Sequence, residues 1–333
     1  MSAERDSYLD NIKILLLFMV AFAHNLIPFK DEGIGIEIAI KAIYCFHMPL
    51  FAFVTGYLVR KSKRDVWGYV KKLLAPYLVF QLLYIVIGAV MINTGAIDYS
   101  SDTMTLSIVE PSGPLYFLVC MMVWRLLCPI FDQIKEKKIL AIAGVILASV
   151  VVCLDPYSNT MVMPIFSLLP FYFMGYVTEW DGGAKKLAGG AFFACIAAVV
   201  YLLSVVFAPY EVILFRMNVW DTSTNVRGGG TIWLKVLYLL IAACGIIWFM
   251  AVVPRKPIKG VTNRTRNGMV IYIGSSFMAP YLYIVLYNLI PVLQKNIMLN
   301  LVGIVAFTVF VIWFCSWNCW MKLYHFIFER NKE

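Results

Sequence analysis

Apolar runs long enough to cross a bilayer alternate with short polar stretches along the whole chain. An α-helix rises about 1.5 Å per residue, so roughly 20 apolar residues span the hydrocarbon core. Runs of this kind, bounded by charge, Gly and Pro, lie at about 9–29, 36–59, 70–93, 113–131, 139–154, 160–178, 187–208, 231–253, 268–290 and 298–320. The pattern predicts an all-α polytopic membrane protein with about ten transmembrane helices. The run 139–154 is short, and a tilted neighbour or a thin bilayer would accommodate it. The first run has no small-residue cleavage site and leads straight into a polar loop, so it reads as a retained helix rather than a signal peptide. No sequence repeat relates the two halves, and 1–333 reads as a single integral membrane domain.

Composition agrees with this reading. Hydrophobic residues make up 62% of the chain and charged residues only 14%, against about 25% charged in an ordinary soluble domain. Such a chain has too little polar surface to cover a water-soluble globule, so helix packing in lipid must set its core. The eight cysteines all fall in apolar runs and read as packing residues, with no disulfide or metal framework among them.

Basic residues then orient the helices, because Lys and Arg are retained on the cytoplasmic side. With a cytoplasmic start, 21 of the 28 basic residues fall in cytoplasmic segments, including Arg5, Lys13, Arg60, Arg64, Lys71, Lys72, Lys135, Arg255, Arg264 and Lys332. Only Lys30, Arg216, Arg227 and Lys295 fall on the opposite side, while Lys41, Arg125 and Lys235 lie within helices, Lys41 and Lys235 near the outer ends, where they are expected to snorkel. Both termini are therefore expected in the cytoplasm. The net charge of +9 is mostly this orientation signal plus attraction to anionic lipid, and calls for no nucleic-acid partner.

Ionisable groups inside the runs are the candidates for chemistry, because burying them in lipid is costly. The first run, LDNIKILLLFMVAFAHNLIP, puts Lys13 near one interface and His24 well inside, eleven positions on. A structural histidine bonded to a neighbouring helix is the plain alternative for His24. The second run, FHMPLFAFVTGY, puts His47 beside Pro49, and the proline frees a backbone carbonyl and bends its helix. A short loop makes these two helices antiparallel neighbours, so both imidazoles could line one cavity, offset by about 10 Å along the membrane normal. Either imidazole can accept a hydroxyl proton near neutral pH. His325 lies in the expected cytoplasmic tail and reads as solvated. Two histidines without grouped carboxylates or thiols give too few ligands for a metal, and no Ser-His-Asp pattern is present. General-base activation of an acceptor hydroxyl, with an activated acyl donor, remains within reach. Two long loops, 94–112 and 209–230, carry the polar and aromatic groups that suit a carbohydrate face, although interfacial lids would look alike.

RDSYLDNIKILLLFMVAFAHN, FHMPLFAFVTGYL, the basic patch leading into KKLLAPYLVF, GPLYFLVCMM and LPFYFMGYV resemble, in that order, the acyltransferase 3 family of membrane acyltransferases. The likeness is to its sugar O-acetylase branch, and the basic-x10-His pattern met by Lys13 and His24 is its most specific element. The resemblance implies a ten-helix bundle in a bacterial cytoplasmic membrane. It would pass an acetyl group from cytosolic acetyl-CoA to a glycan or lipid-linked sugar hydroxyl on the other side. It also implies that His24 is catalytic and that Lys13 supports the site or the donor. Two departures stand out. An Arg-x-x-Arg pair before the third helix is replaced by WGYVKKLLAP, where Lys71 and Lys72 supply charge without guanidinium geometry. A late Tyr-Leu-x-His is replaced by VIYIGSSFMAP, with Ser275 and Ser276 near the expected histidine, which transfers weight to His47.

Arg60, Arg64, Lys71 and Lys72 lie where the second run passes into the third, and there they suit the pyrophosphate and 3′-phosphate of acetyl-CoA as co-substrate. Each taken singly is equally explained as positive-inside charge. Arg125 lies in the inner half of its run, where a phosphate or carboxylate would hold it, as would snorkelling. The rival function is a secondary transporter or flippase for a sugar or lipid-linked precursor, because buried ionisable groups also mark proton relays. The sequence does not supply the paired interrupted helices usual in that class. It leaves oligomeric state open, a homo-oligomer included.

Overall fold

The computed structural model describes residues 6–62, 65–93, 110–134, 138–152, 162–178, 230–277 and 279–328, with positions 108, 199, 202 and 203 besides. Among them the chain is helical and no strand occurs. The α-helices are α1 Ser7–Leu26, α2 Ile34–Tyr44, α3 His47–Lys61, α4 Val66–Asn93, α5 Tyr116–Asp132, α6 Lys138–Val152 and α7 Val162–Val177. They continue as α8 Gly230–Val252, α9 Gly268–Phe277, α10 Ala279–Leu289, α11 Pro291–Lys295, α12 Ile297–Cys315 and α13 Asn318–Phe328. The expected run 187–208 and nearly all of the two long loops lie outside the described residues.

Five described stretches are long and apolar enough to cross a membrane unaided: Ser7–Glu32, Ile34–Lys61, Val66–Val90, Gly113–Asp132 and Ile297–Cys315. Thr262–Ser276 and Ala279–Leu289, bent by 51° at their junction, make a sixth when taken as one broken span. The described residues thus account for five or six of the ten expected spans.

The outer faces are what a bilayer selects. Leu78, Leu82, Val86 and Val90 form a stripe at four-residue spacing along α4, and Val302, Val305 and Val309 form one at spacings of three and four on α12; all are exposed. In water such stripes would be adhesive, whereas against lipid tails they are the natural surface.

Helix α1 lies at the centre, packed on α2, α3, α9, α10 and α12. Its start is fixed by Asp6, whose carboxylate accepts from the Tyr8 and Leu9 amides at 3.0 and 3.4 Å. Two buried asparagines pin its ends. Asn11 Nδ2 donates to the carbonyls of Pro254 and Lys256 at 2.7 and 2.8 Å, and its Oδ1 accepts from Thr262 Oγ1 at 2.6 Å. Asn25 Nδ2 donates to Thr308 Oγ1 on α12 at 3.0 Å.

Helices α3 and α7 meet backbone to backbone. A Cβ built on Gly56 would overlap the Tyr172 carbonyl, and one on Gly175 would overlap the Phe53 carbonyl. Small residues at such a crossing let helices pack by van der Waals contact in lipid, where no hydrophobic force draws them together. Lys41, expected to snorkel from the end of its run, is instead buried, with Nζ 2.7 Å from Glu37 Oε1 one turn earlier. Most described cysteines are buried as expected, but Cys319 is exposed on α13.

Candidate active site

Pro49 determines where the second run breaks. Within a continuous helix it would fail to donate to the Cys45 carbonyl, and its ring would crowd that group. The chain instead turns through Cys45 and Phe46, and α3 starts afresh at His47. Pro49 thereby falls in a first turn, where a missing N–H costs nothing. The Leu50 amide makes the opening helical bond to the Phe46 carbonyl at 2.9 Å.

This break aims the His47 side chain backwards. Its Nδ1 lies 2.7 Å from the Ile43 carbonyl oxygen, which can only accept, so Nδ1 carries the proton. In the neutral ring the basic lone pair is then on Nε2. His47 is buried, whereas His24, in the last turn of α1, is half-buried.

Tyr44 joins the two imidazoles. Its ring meets His24 edge-on at a centroid distance of 6.3 Å and His47 at 5.0 Å, with interplanar angles of 71° and 74°. The gap that helix lengths imply between the histidines is therefore filled by one phenol. Around them Phe51 of α3, Phe117 of α5 and Tyr272 of α9 form a triangle with centroids 6.0, 6.3 and 6.1 Å apart, and Trp124 closes on Phe117 at 5.8 Å. The Tyr272 hydroxyl donates to the Pro114 carbonyl at 2.8 Å and has Tyr44, Tyr84 and Tyr116 as electrostatic neighbours.

The turn holding Pro114 is firmly tied. Gln81 Nε2 donates to the Glu110 carbonyl at 2.8 Å and to Ser112 Oγ at 3.1 Å, while its Oε1 accepts from the Ser112 amide at 2.9 Å. Gly113 has φ 49°, and the Tyr84 hydroxyl occupies the space a Cβ would need. Both constraints require glycine here.

The basic candidates gather elsewhere. Arg60 NH1 donates to the Val177 carbonyl at 3.0 Å and reaches the Tyr176 carbonyl at 3.5 Å, closing the end of α7. Tyr176 donates from its hydroxyl to both Asp132 carboxylate oxygens at 3.1 Å. Arg125 is buried beside this group, its guanidinium carbon 5.8 Å from the Tyr69 ring centroid, and it hydrogen-bonds Cys128, whose Sγ lies 3.3 Å from the Tyr172 hydroxyl. Arg60 and Arg125 are thus brought to one end of the α3–α5–α7 group. Lys71 is exposed and Lys72 half-buried on the first turns of α4, and Arg64 lies outside the described residues.

Lys13 stands apart from both groups. It is roughly 16 Å along α1 from His24 and lies 2.8 Å from Asp10 Oδ1, a carboxylate buried at the start of α1. Sequence reasoning missed Asp10, Asn11 and Asn25, although each is a polar residue interrupting an apolar run. It also missed Tyr44 and Tyr272, which look like ordinary core aromatics until their neighbours are known.

Comparison with curated proteins and with solved structures finds no match. A family model, that of the acyltransferase 3 family and described as an acyltransferase domain, matches residues 6–318. Because that match runs from the N-cap of α1 to the first residue of α13 and so contains both imidazoles and every group around them, the chain belongs to the acyltransferase 3 family.

Proposed function

We propose that the protein is a transmembrane O-acetyltransferase, moving an acetyl group from cytosolic acetyl-CoA to a hydroxyl of an extracytoplasmic or lipid-linked glycan. Membership of an acyltransferase family supports the reaction class. The observation that carries the residue assignment is the pair of imidazoles sharing Tyr44 at a helix break, one of them with its tautomer set by the Ile43 carbonyl.

In this reading His24, the more accessible imidazole, accepts the proton of the acceptor hydroxyl as its oxygen attacks the thioester carbonyl. The new C–O bond forms, the C–S bond breaks, and the departing coenzyme A thiolate takes up the proton that the imidazole received. His47 holds a second lone pair on Nε2 behind the same tyrosine. The phosphates of the donor bind Arg60, Arg64, Lys71 and Lys72, with Arg125 beneath them and Lys13 supporting the donor side.

The test is thiol release from acetyl-CoA by purified protein, measured with and without a glycan acceptor. Acceptor-dependent release is expected, falling by roughly 10²- to 10⁴-fold in His24→Ala. Wild-type release at His24→Ala would remove the assignment of the base.

A further inference from the structure

Ser275 and Ser276 bury their hydroxyls in α9 without a hydrogen-bond partner for either Oγ among the described residues. Serine in a membrane helix ordinarily bonds a carbonyl one turn back or a neighbouring helix, because a bare hydroxyl in low dielectric is costly. Two adjacent exceptions therefore point to a polar group that the pair exists to meet.

Their direction follows from the register of α9 against α1. Thr262 bonds Asn11, and a Cβ on Gly268 would lie 3.9 Å from Leu17 Cδ1. Both pairs have the same sequence offset, so the two segments run parallel. Seven residues beyond Leu17 and Gly268, about two helical turns, stand His24 and Ser275. Ser275 therefore shares the α1-facing side of α9 with Gly268, level with the imidazole. Ser276 lies one turn beyond Tyr272 on the side that faces the Pro114 turn. Gly274 faces α12, where a Cβ would lie 2.8 Å from Cys315 Sγ. Three consecutive residues thus face three different neighbours, and the two hydroxyls straddle the corner between His24 and the Tyr272–Pro114 contact.

Resting on the acetyltransferase reading above, we infer that Ser275 and Ser276 bind the acceptor, by hydrogen bonds to ring hydroxyls flanking the one that His24 deprotonates. A hydroxyl can both donate and accept, which suits another hydroxyl better than it suits an anion. The pair selects vicinal polyols, such as hexopyranosides, over simple alcohols, because an acceptor lacking the second hydroxyl leaves the serines unpaired.

The experiment uses full-length protein in detergent, acetyl-CoA, and methyl hexopyranosides with their mono-deoxy analogues as acceptors. Ser275→Ala and Ser276→Ala should each raise the acceptor KM roughly 3- to 10-fold. The acetyl-CoA KM should stay unchanged. One mono-deoxy analogue should show a similar loss with wild type and no additional loss with the matching variant. The double variant should unfold at the same or a higher temperature, because it removes buried hydroxyls that have no partner. An unchanged acceptor KM in the folded double variant would overturn the inference while leaving the His24 assignment standing. Lower thermal stability with unchanged KM would also overturn it, by making the pair structural. Wild-type protein showing no glycoside-dependent thiol release would remove the acetyltransferase reading beneath it.

Discussion

Asp10 is the residue that gives Lys13 a fixed place. The carboxylate is buried while the lysine side chain is 29% exposed, so removing the lysine takes the neighbouring positive charge away from an anion in low dielectric. Lys13→Ala should cost about 1–3 kcal/mol, less than a fully buried pair because water still reaches the lysine. Thermal unfolding of detergent-solubilised protein measures this, and Asp10→Asn placed in the Lys13→Ala background should recover most of the loss. Failure of that rescue would show that the loss does not come from the Asp10 carboxylate. At this scale His24 and Lys13 are legible as candidates, because an ionisable group in an apolar run stands out whatever surrounds it. Tyr44 is not, because a tyrosine among apolar residues reads as core, and only the turn at Cys45 and Phe46 sets it between two imidazoles. Ser275 and Ser276 were visible as a departure from the family pattern, but unsatisfied hydroxyls can be recognised only after every neighbour is in place.

Two features of individual elements determine whether the site exists at all. Gly56 and Gly175 let α3 approach α7 until carbonyls take the space of side chains, and α3 is the helix that begins with His47. Gly175→Ala should therefore destabilise the protein by about 1–3 kcal/mol, through a clash that backbone atoms cannot relieve by changing rotamer. A melting curve measures it, and a neutral result would show that the crossing is looser than described. The second feature is the break at Pro49. The sequence indicated a bend there, but a bend and a restart differ in which carbonyl is abandoned. The clash of a proline ring falls four residues upstream, so the interruption appears at Cys45 and not at Pro49. The same reasoning explains Lys41: its exposure was inferred from position in the run, whereas its burial follows from Glu37 lying one turn away.

Across the whole molecule, the imidazole pair and the basic cluster occupy separate groups of helices joined by α3, which begins at His47 and ends at Arg60 and Lys61. That separation suits a donor whose phosphates stay in water while its thioester arm reaches inward. Lys71→Gln with Lys72→Gln should raise the acetyl-CoA KM more than it lowers kcat, because both residues lie on the first turns of α4, on a different helix from either imidazole. Steady-state kinetics decide it, and an unchanged donor KM would take the start of α4 out of the coenzyme site. The all-helical membrane class was legible from hydropathy alone, since lipid permits few other architectures. The number of spans was less so, because breaks such as the 51° bend between α9 and α10 leave composition almost unchanged.

The most direct measurement uses sealed proteoliposomes with radiolabelled acetyl-CoA on one side of the membrane and a membrane-impermeant glycan acceptor on the other. A donor and an acceptor that meet at His24 from opposite ends of the protein should produce labelled glycan in the compartment without donor, and His24→Ala vesicles should produce almost none. Label confined to acceptor on the donor side, with intact vesicles, would contradict transfer through the protein.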